Sequence, residues 1–298
     1  MRTGDRLVCE AKHEYPCVDD IPIMLPNQVG RECDAWLDKF KQPPSNRQSC
    51  ASDDIDPFVQ ANIAATNGVM YRPLVGKLTR YPIPSFPMKP RRGTRLLDVG
   101  CNWGRWCIAA ARSGYQAVGI DPSFEAICAA RRVARQLGVN ATYVVADARQ
   151  MPLADDSFDA VFSYSVLQHL EKSDARRAFA EVGRVLKADG ESLIQLPNIF
   201  GVRSLQNRAR RMFRERSPFD VNYYTPGELE ALFRSVIGPT IVSVDGYFCL
   251  NPQPTDLDLL RLPYRAVVRV SATLHQLSVR LRWMRYFADS LYVHSTHQ

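Results

Sequence analysis

No run of apolar residues in the 298-residue chain is long enough to span a bilayer, which excludes a helical membrane segment. The opening residues Met1-Arg2-Thr3-Gly4-Asp5 lack the apolar core of a secretory leader, so the expectation is a cytoplasmic protein. The eight cysteines include no Cys-x-x-Cys pair and no regular framework, so reduced thiols are expected rather than disulfides. Cys9, His13 and Cys17 come nearest to a metal set, but paired ligands are missing and no bound metal is expected. No lysine follows the glycine turn near residue 100, which excludes a P-loop. The dinucleotide GxGxxG spacing is missing too.

With 46% hydrophobic residues, the chain can bury one full core and a smaller appendage. Its net charge is +7, carried unevenly and mostly by arginine. That balance admits acidic partners such as nucleotide sugars, phospholipid surfaces or RNA, and plain solubility explains it equally well.

The chain is organised around Leu96-Leu97-Asp98-Val99-Gly100-Cys101-Asn102-Trp103-Gly104-Arg105. An apolar strand ends in an acid, passes through a turn with two glycines and opens a helix, whose free N–H groups face whatever the turn holds. Ala117-Val118-Gly119-Ile120-Asp121-Pro122 is a second strand ending in an acid, about 20 residues on, where a carboxylate reaches ribose hydroxyls. A third strand, Thr142 to Ala146, ends at Asp147-Ala148, and a fourth, Asp159 to Ser165, runs into Gln168-His169-Leu170. The pattern suits a nucleoside without a pyrophosphate.

In this order, Asp98-x-Gly100-x-x-x-Gly104, Asp121, Asp147-Ala148, Phe158-Asp159-Ala160-Val161 and Gln168-His169-Leu170 resemble the class I S-adenosylmethionine-dependent methyltransferases, nearest the type 11, UbiE-like group. Arg184-Val185-Leu186-Lys187-x-x-Gly190 is also typical of that group, and Asn102 stands where its middle glycine is common. The resemblance covers roughly residues 95–250. It implies an α/β, Rossmann-like fold with a mostly parallel seven-stranded sheet flanked by helices, and S-adenosylmethionine as cofactor. Carried over residue by residue, it implies that Gly100, Cys101, Asn102 and Gly104 meet the cofactor's amino acid moiety, with Asp98 bracing the turn. Asp121, beside Pro122, accepts from ribose, Asp147 and Ala148 meet adenine, and Ser163 and Tyr164 border the sulfonium.

Around this core, residues 1–50 read as a small β-rich N-terminal module, similar to the zinc-ribbon-like domain of some tRNA and translation-factor methyltransferases. Lys41 to Ser52 reads as a linker. Residues 51–94 hold a helix and a proline-rich lead-in, with Asn67, Tyr71 and Arg72 as candidate lid residues. Ser123 caps a helix to Leu137, Ser173 opens one to Leu186, and Thr225-Pro226-Gly227-Glu228 is a capping box. Residues 198–224 form an arginine-rich cap insertion with Arg203, Arg208, Arg210, Arg211, Arg214 and Arg216 against Glu215 and Asp220. Ile241 to Val244 and Tyr247 to Leu250 are expected to close the sheet as a hairpin, and residues 251–298 to form a C-terminal amphipathic helix whose stripe runs from Val267 to Leu291.

His169 is the candidate base, because imidazole titrates near working pH. Gln168, Tyr71, Arg203 and Tyr223 are candidate acceptor contacts. The expected reaction is O-methylation of a small molecule, sugar or glycolipid precursor, with an acidic or lipid-linked acceptor, peripheral membrane contact through basic helices and a homodimer as candidate partnerships. RNA methylation and a non-catalytic cofactor-binding subunit are the alternatives. No Asn-Pro-Pro-Tyr run follows the fourth strand, and the arginines are not interleaved with stacking aromatics.

Overall fold

The computed structural model describes residues 2–3, 6–9, 12–25, 54–89, 93–211, 221–248 and 252–298. The expected linker at 41–52, Cys33, Cys50, Cys249, Arg214, Glu215, Arg216, Asp220 and the side chains of Arg210 and Arg211 lie outside the description.

Four short N-terminal strands come first: β1 (Arg2–Thr3), β2 (Arg6–Val8), β3 (Glu14–Val18) and β4 (Ile21–Met24). Helix α1 (Pro57–Asn67) follows, then β5 (Arg95–Val99), α2 (Arg105–Arg112), β6 (Gln116–Asp121), α3 (Phe124–Gln136), β7 (Thr142–Ala146) and β8 (Phe158–Tyr164). The chain continues through α4 (Lys172–Val185), β9 (Leu186–Pro197), α5 (Val202–Arg211), α6 (Pro226–Val236), β10 (Thr240–Gly246), α7 (Leu262–Arg280) and β11 (Ser290–Thr296). The strands lie in the order β1-β2-β3-β4-β7-β6-β5-β8-β9-β11-β10, with β7 to β10 forming the seven-stranded core of a Rossmann-like α/β fold. β5, β6, β7 and β8 pair in parallel, and β11 alone in this core runs against its neighbours. Both faces are covered, which is why Leu96, Leu97, Val99 and Phe162 are buried in near-continuous apolar runs.

The structure corrects four local expectations. The N-terminal strands do not stand apart as a module, because β4 adds in parallel to β7 through Ile23–Val145 and Met24–Ala146 and so extends the main sheet. Helix α4 starts at Lys172 with Glu171 in the cap position, so Ser173 lies inside the first turn, and the strand after it begins at Leu186, where the helix was expected to end. The expected strand at Tyr247 is a bend instead: Tyr247 N–H donates to Ser271 Oγ, Phe248 N–H to Asp289 Oδ2, and Phe248 has φ +60°. The C-terminal stripe is not one helix. It breaks at Leu281, passes through a 3-10 turn (Arg282–Tyr286), and Leu291 belongs to β11, the antiparallel partner of β10 and β9. Helix α7 is therefore inserted between two sheet strands, and it packs on β10.

Candidate active site

β5, β6 and β7 end side by side, and the turn Gly100–Gly104 lies at their carboxyl ends. Gly100 (φ +78°) and Gly104 (φ +82°) are left-handed, a region that L side chains enter at a cost. Space enforces the same choice: a Cβ on Gly100 would stand 2.3 Å from Val166 Cγ1, and one on Gly104 2.7 Å from the Tyr143 hydroxyl. The N–H groups of Gly100 and Cys101 both donate to the Ile120 carbonyl, at 2.8 and 2.9 Å, and tie the turn to β6. Asn102 is left-handed without being glycine, and its Oδ1 accepts from Trp103 N–H at 2.8 Å. That local bond explains how asparagine serves at this place.

Asp98 lies beneath the turn, 1% exposed. It accepts the backbone N–H of Cys107 in the first turn of α2, and its Oδ2 has no partner. Burial, with a smaller push from the Asp121 charge, raises its pKa to about 8 despite the Cys107 bond. Asp121 closes β6: its Oδ2 accepts from Asn102 N–H at 3.0 Å and its Oδ1 from Ser123 N–H at 2.9 Å. Burial lifts its pKa above the usual carboxylate range against those two bonds. Pro122 beside it is exposed.

The other expected residues are placed less uniformly. Asp147 ends β7, but both its oxygens accept from the Arg149 guanidinium, which also reaches Asp174 at 2.8 Å. Burial alone would raise the Asp147 pKa; the Arg149 bonds prevail and hold it below the ordinary value. Ala148 is half-buried next to it. Ser163, near the end of β8, donates to the carbonyl of Val99, the last residue of β5, at 2.8 Å. Tyr164 points to the α2 face, where its hydroxyl donates to Asp245 Oδ2 at 2.8 Å. Gln168 is buried, its Nε2 on Ser165 Oγ and its Oε1 unpartnered, while His169 is exposed in a 3-10 turn directly after β8.

Tyr71 is a correction. It is fully buried, with its hydroxyl on the Asp256 carboxylate, so it packs in the core rather than on a lid. Asn67 is buried with it and Arg72 is exposed. Arg203 is held beside the 247–248 bend, its guanidinium 3.3 Å from the Phe248 carbonyl and its N–H on Asp289 Oδ1. Tyr223 is half-buried, next to Asn222, whose N–H donates to the Gln168 carbonyl at 2.8 Å.

Four side chains have partners that the sequence did not reveal: Arg105, Asp256, Arg149 and Asp245. Arg105, the first residue of α2, is buried and pairs at 2.6 Å with the fully buried Asp256, while its Nε donates to the Pro82 carbonyl at 2.7 Å. Arg149 closes Asp147, and Asp245 receives Tyr164. No local pattern marks Arg105–Asp256 or Tyr164–Asp245, whose members lie 151 and 81 residues apart. Among the described residues no group of three or more His, Cys, Asp or Glu is arranged to hold a metal.

Residues 96–190, which hold this turn and these strand ends, match the family model described as "Methyltransferase domain". The match covers the segment that holds the glycine turn and the ends of β5 to β8, about a third of the chain. Over 86 residues the chain is 37% identical to a ubiquinone biosynthesis O-methyltransferase of Agrobacterium fabrum, covering 29% of this chain and 34% of that protein. It is 35% identical over 101 residues to the uncharacterized methyltransferase YcgJ of Bacillus subtilis, covering 34% of this chain and 39% of that one. The matches thus span little more than a third of these relatives' own length. Among solved structures, a chain in the complex between the Haloferax volcanii Trm112 methyltransferase activator and the putative methyltransferase is similar in fold: TM-score 0.51 and 16% identity, over 82% of this chain and 96% of that one.

Proposed function

We propose that this protein transfers a methyl group from S-adenosylmethionine to a hydroxyl of a small molecule, sugar or glycolipid precursor. The observation that carries the reading is the convergence of Asp98 and Asp121, from adjacent parallel strands, on one left-handed glycine turn inside the methyltransferase segment. The residues present fit the cofactor: the unpartnered, buried Oδ2 of Asp98 is an acceptor without a donor, which an ammonium group would supply. Bound there, the cofactor supplies an electrophilic methyl on a sulfonium.

The chain's own residues divide the remaining work. Backbone groups of Gly100, Cys101, Asn102 and Gly104 hold the amino acid end, and Asp121, beside Pro122, orders the ribose. Asp147 and Ala148 meet the adenine side, with Arg149 keeping the Asp147 carboxylate ionised and fixed. Ser163 steadies the tip of β8 through Val99, and Tyr164 forms the wall behind it. His169, exposed just after β8, takes the acceptor's proton, and Gln168 orients the acceptor with its unpartnered Oε1. Methyl incorporation from labelled donor into polar extract, lipid extract and RNA tests the reading. Label in the first two supports it; label in RNA alone selects the RNA methyltransferase instead, and donor binding without any incorporation selects a non-catalytic subunit.

We also propose that the protein docks on an anionic lipid surface. Trp283 (60% exposed) and Phe287 (59%) lie on a segment that Asn198 Nδ2 holds through the carbonyls of Arg285, Tyr286 and Ala288, and Phe200, Val202 and Leu205, just after Asn198, are exposed as well. Arg208, Arg280, Arg282 and Arg285 accompany this patch, and neither 199–211 nor 279–288 contains an acid. Aromatic and aliphatic side chains framed by arginine match an anionic interface. Co-sedimentation with phosphatidylserine vesicles is expected and should fall at least about tenfold in Trp283→Ser/Phe287→Ser; equal pelleting of the variant overturns the proposal.

A further inference from the structure

A cavity of about 320 Å³ lies at the carboxyl edge of the other half of the sheet, under α7. That is the lower end of the size range of small-molecule sites. Its walls include Trp106 from α2, Tyr164 from β8 and Tyr292 from β11. Trp106 and Tyr164 lie with ring centroids 4.7 Å apart, and Tyr292 meets Tyr164 edge-on at 6.0 Å. Its polar groups include a connected set. Asp245 Oδ2 accepts from Tyr164 at 2.8 Å and from Ser290 Oγ at 2.5 Å, and Ser290 in turn accepts from Gln195 Nε2 at 2.7 Å. Gln253 Nε2 reaches the Tyr164 hydroxyl at 3.4 Å. His275, from α7, also lines the cavity, and its Nδ1 is buried with no partner.

These features select a ligand by chemistry. An aromatic-walled space takes the flat apolar face of a ring. An unpartnered imidazole nitrogen beside a carboxylate already held by hydroxyls leaves one unmet demand, which a hydroxyl meets by bonding to both. Among the described residues no lysine or arginine lines the cavity, so none of them compensates a phosphate or carboxylate on the ligand. Trp106 lies two residues after Gly104, in the first turn of α2, so the helix that opens from the glycine turn contributes to the cavity wall.

We propose that this cavity is the acceptor-specificity site: it binds the body of an uncharged, hydroxylated ring, with Asp245 and His275 holding a hydroxyl other than the one methylated. The proposal rests on the methyltransferase reading for the meaning of the ligand as acceptor. The binding itself does not depend on it. Two sources offer this chemistry, a phenolic ring and a sugar ring.

The test is saturation-transfer NMR on the full chain with catechol and with methyl β-glucoside, each at about 10 mM, alongside calorimetric titration of S-adenosylhomocysteine. One probe is expected to bind and so to name the source. Asp245→Asn should weaken that probe at least about tenfold, and Ala272→Trp, which fills the cavity from α7, should abolish it. Both variants should keep wild-type affinity for S-adenosylhomocysteine. If neither probe shows transfer in protein that binds S-adenosylhomocysteine, or if Ala272→Trp binds the probe as tightly as wild type, the cavity is not this site. If the probe binds and S-adenosylhomocysteine does not, the cavity stands and the methyltransferase reading falls.

Discussion

Between β5 and β7 the groups at the sheet edge come from short turns: two glycines, an asparagine and two carboxylates, each within a few residues of a strand end. Between β8 and β11 they come from side chains that meet only after folding, through α7 and the bends at 247–248 and 289. The first half is built to present backbone, and its acids serve the turn as well as any ligand, as Asp121 shows by bonding two N–H groups. The second half is built from side-chain pairs such as Tyr164–Asp245, and a further buried pair, Arg105–Asp256, ties it to α2 at the cradle, each across a sequence separation no turn could span. Under the proposed function, a shared donor needs a rigid backbone cradle and a particular acceptor needs side chains, which the segment between β10 and β11 supplies.

Breaking the link between the halves should cost the most. Asp256→Ala leaves Arg105 buried without its counter-charge and Tyr71 without its acceptor, and is expected to destabilise the fold by about 3–5 kcal/mol in urea denaturation. A loss under 1 kcal/mol would show that the pair does not bind the halves together. Gly100→Ala tests the cradle. It combines a left-handed φ with a 2.3 Å approach to Val166, and should cost about 2–3 kcal/mol. Adding Val166→Ala should return only the steric part, measured as a double-mutant cycle.

Asp98→Asn separates the cradle's stability from its use. The carboxyl is raised to about 8 in the fold, so its contribution is fully present below the unfolded pKa near 4 and is lost as pH rises through 8. The variant should therefore melt higher than wild type at pH 8, with a flatter profile, while binding S-adenosylhomocysteine about 10- to 100-fold more weakly. Parallel pH profiles would contradict this account of Asp98. The smallest effect is expected at the α6 start, where Thr225 and Glu228 cap each other at 3.1 and 2.7 Å. Thr225→Ala should cost about 1 kcal/mol and leave ligand binding unchanged.

Much of the cradle half was legible because its signals are local. Glycine spacing, the acids at strand ends and the Ser123 cap, which accepts from Ala126 N–H at 3.3 Å, need no knowledge of the rest of the chain. The Arg184-Val185-Leu186-Lys187 run also has a visible cause: Arg184 pairs with Glu181 and Asp155, and Lys187 with Asp159. The other half misled at two places. The apolar stripe from Val267 keeps a helical period past Leu281, yet Met284 turns into the core and Asp289 is buried to receive three N–H groups, which fixes a bend before Ser290. Tyr247 looks like a strand residue, but its N–H is taken by Ser271, on a helix that the local sequence cannot place. Tyr71 was misjudged for a similar reason, since its burial depends on Asp256, 185 residues away.

The central claim is that the β5–β7 edge holds the cofactor, and calorimetric titration of S-adenosylhomocysteine into the wild-type chain and Asp121→Ala tests it most directly. The account predicts one binding equivalent for the wild type and a loss of about tenfold or more in the variant, with its folding transition still cooperative. No heat of binding to the wild type at about millimolar ligand, or equal affinity in the two proteins, would contradict it.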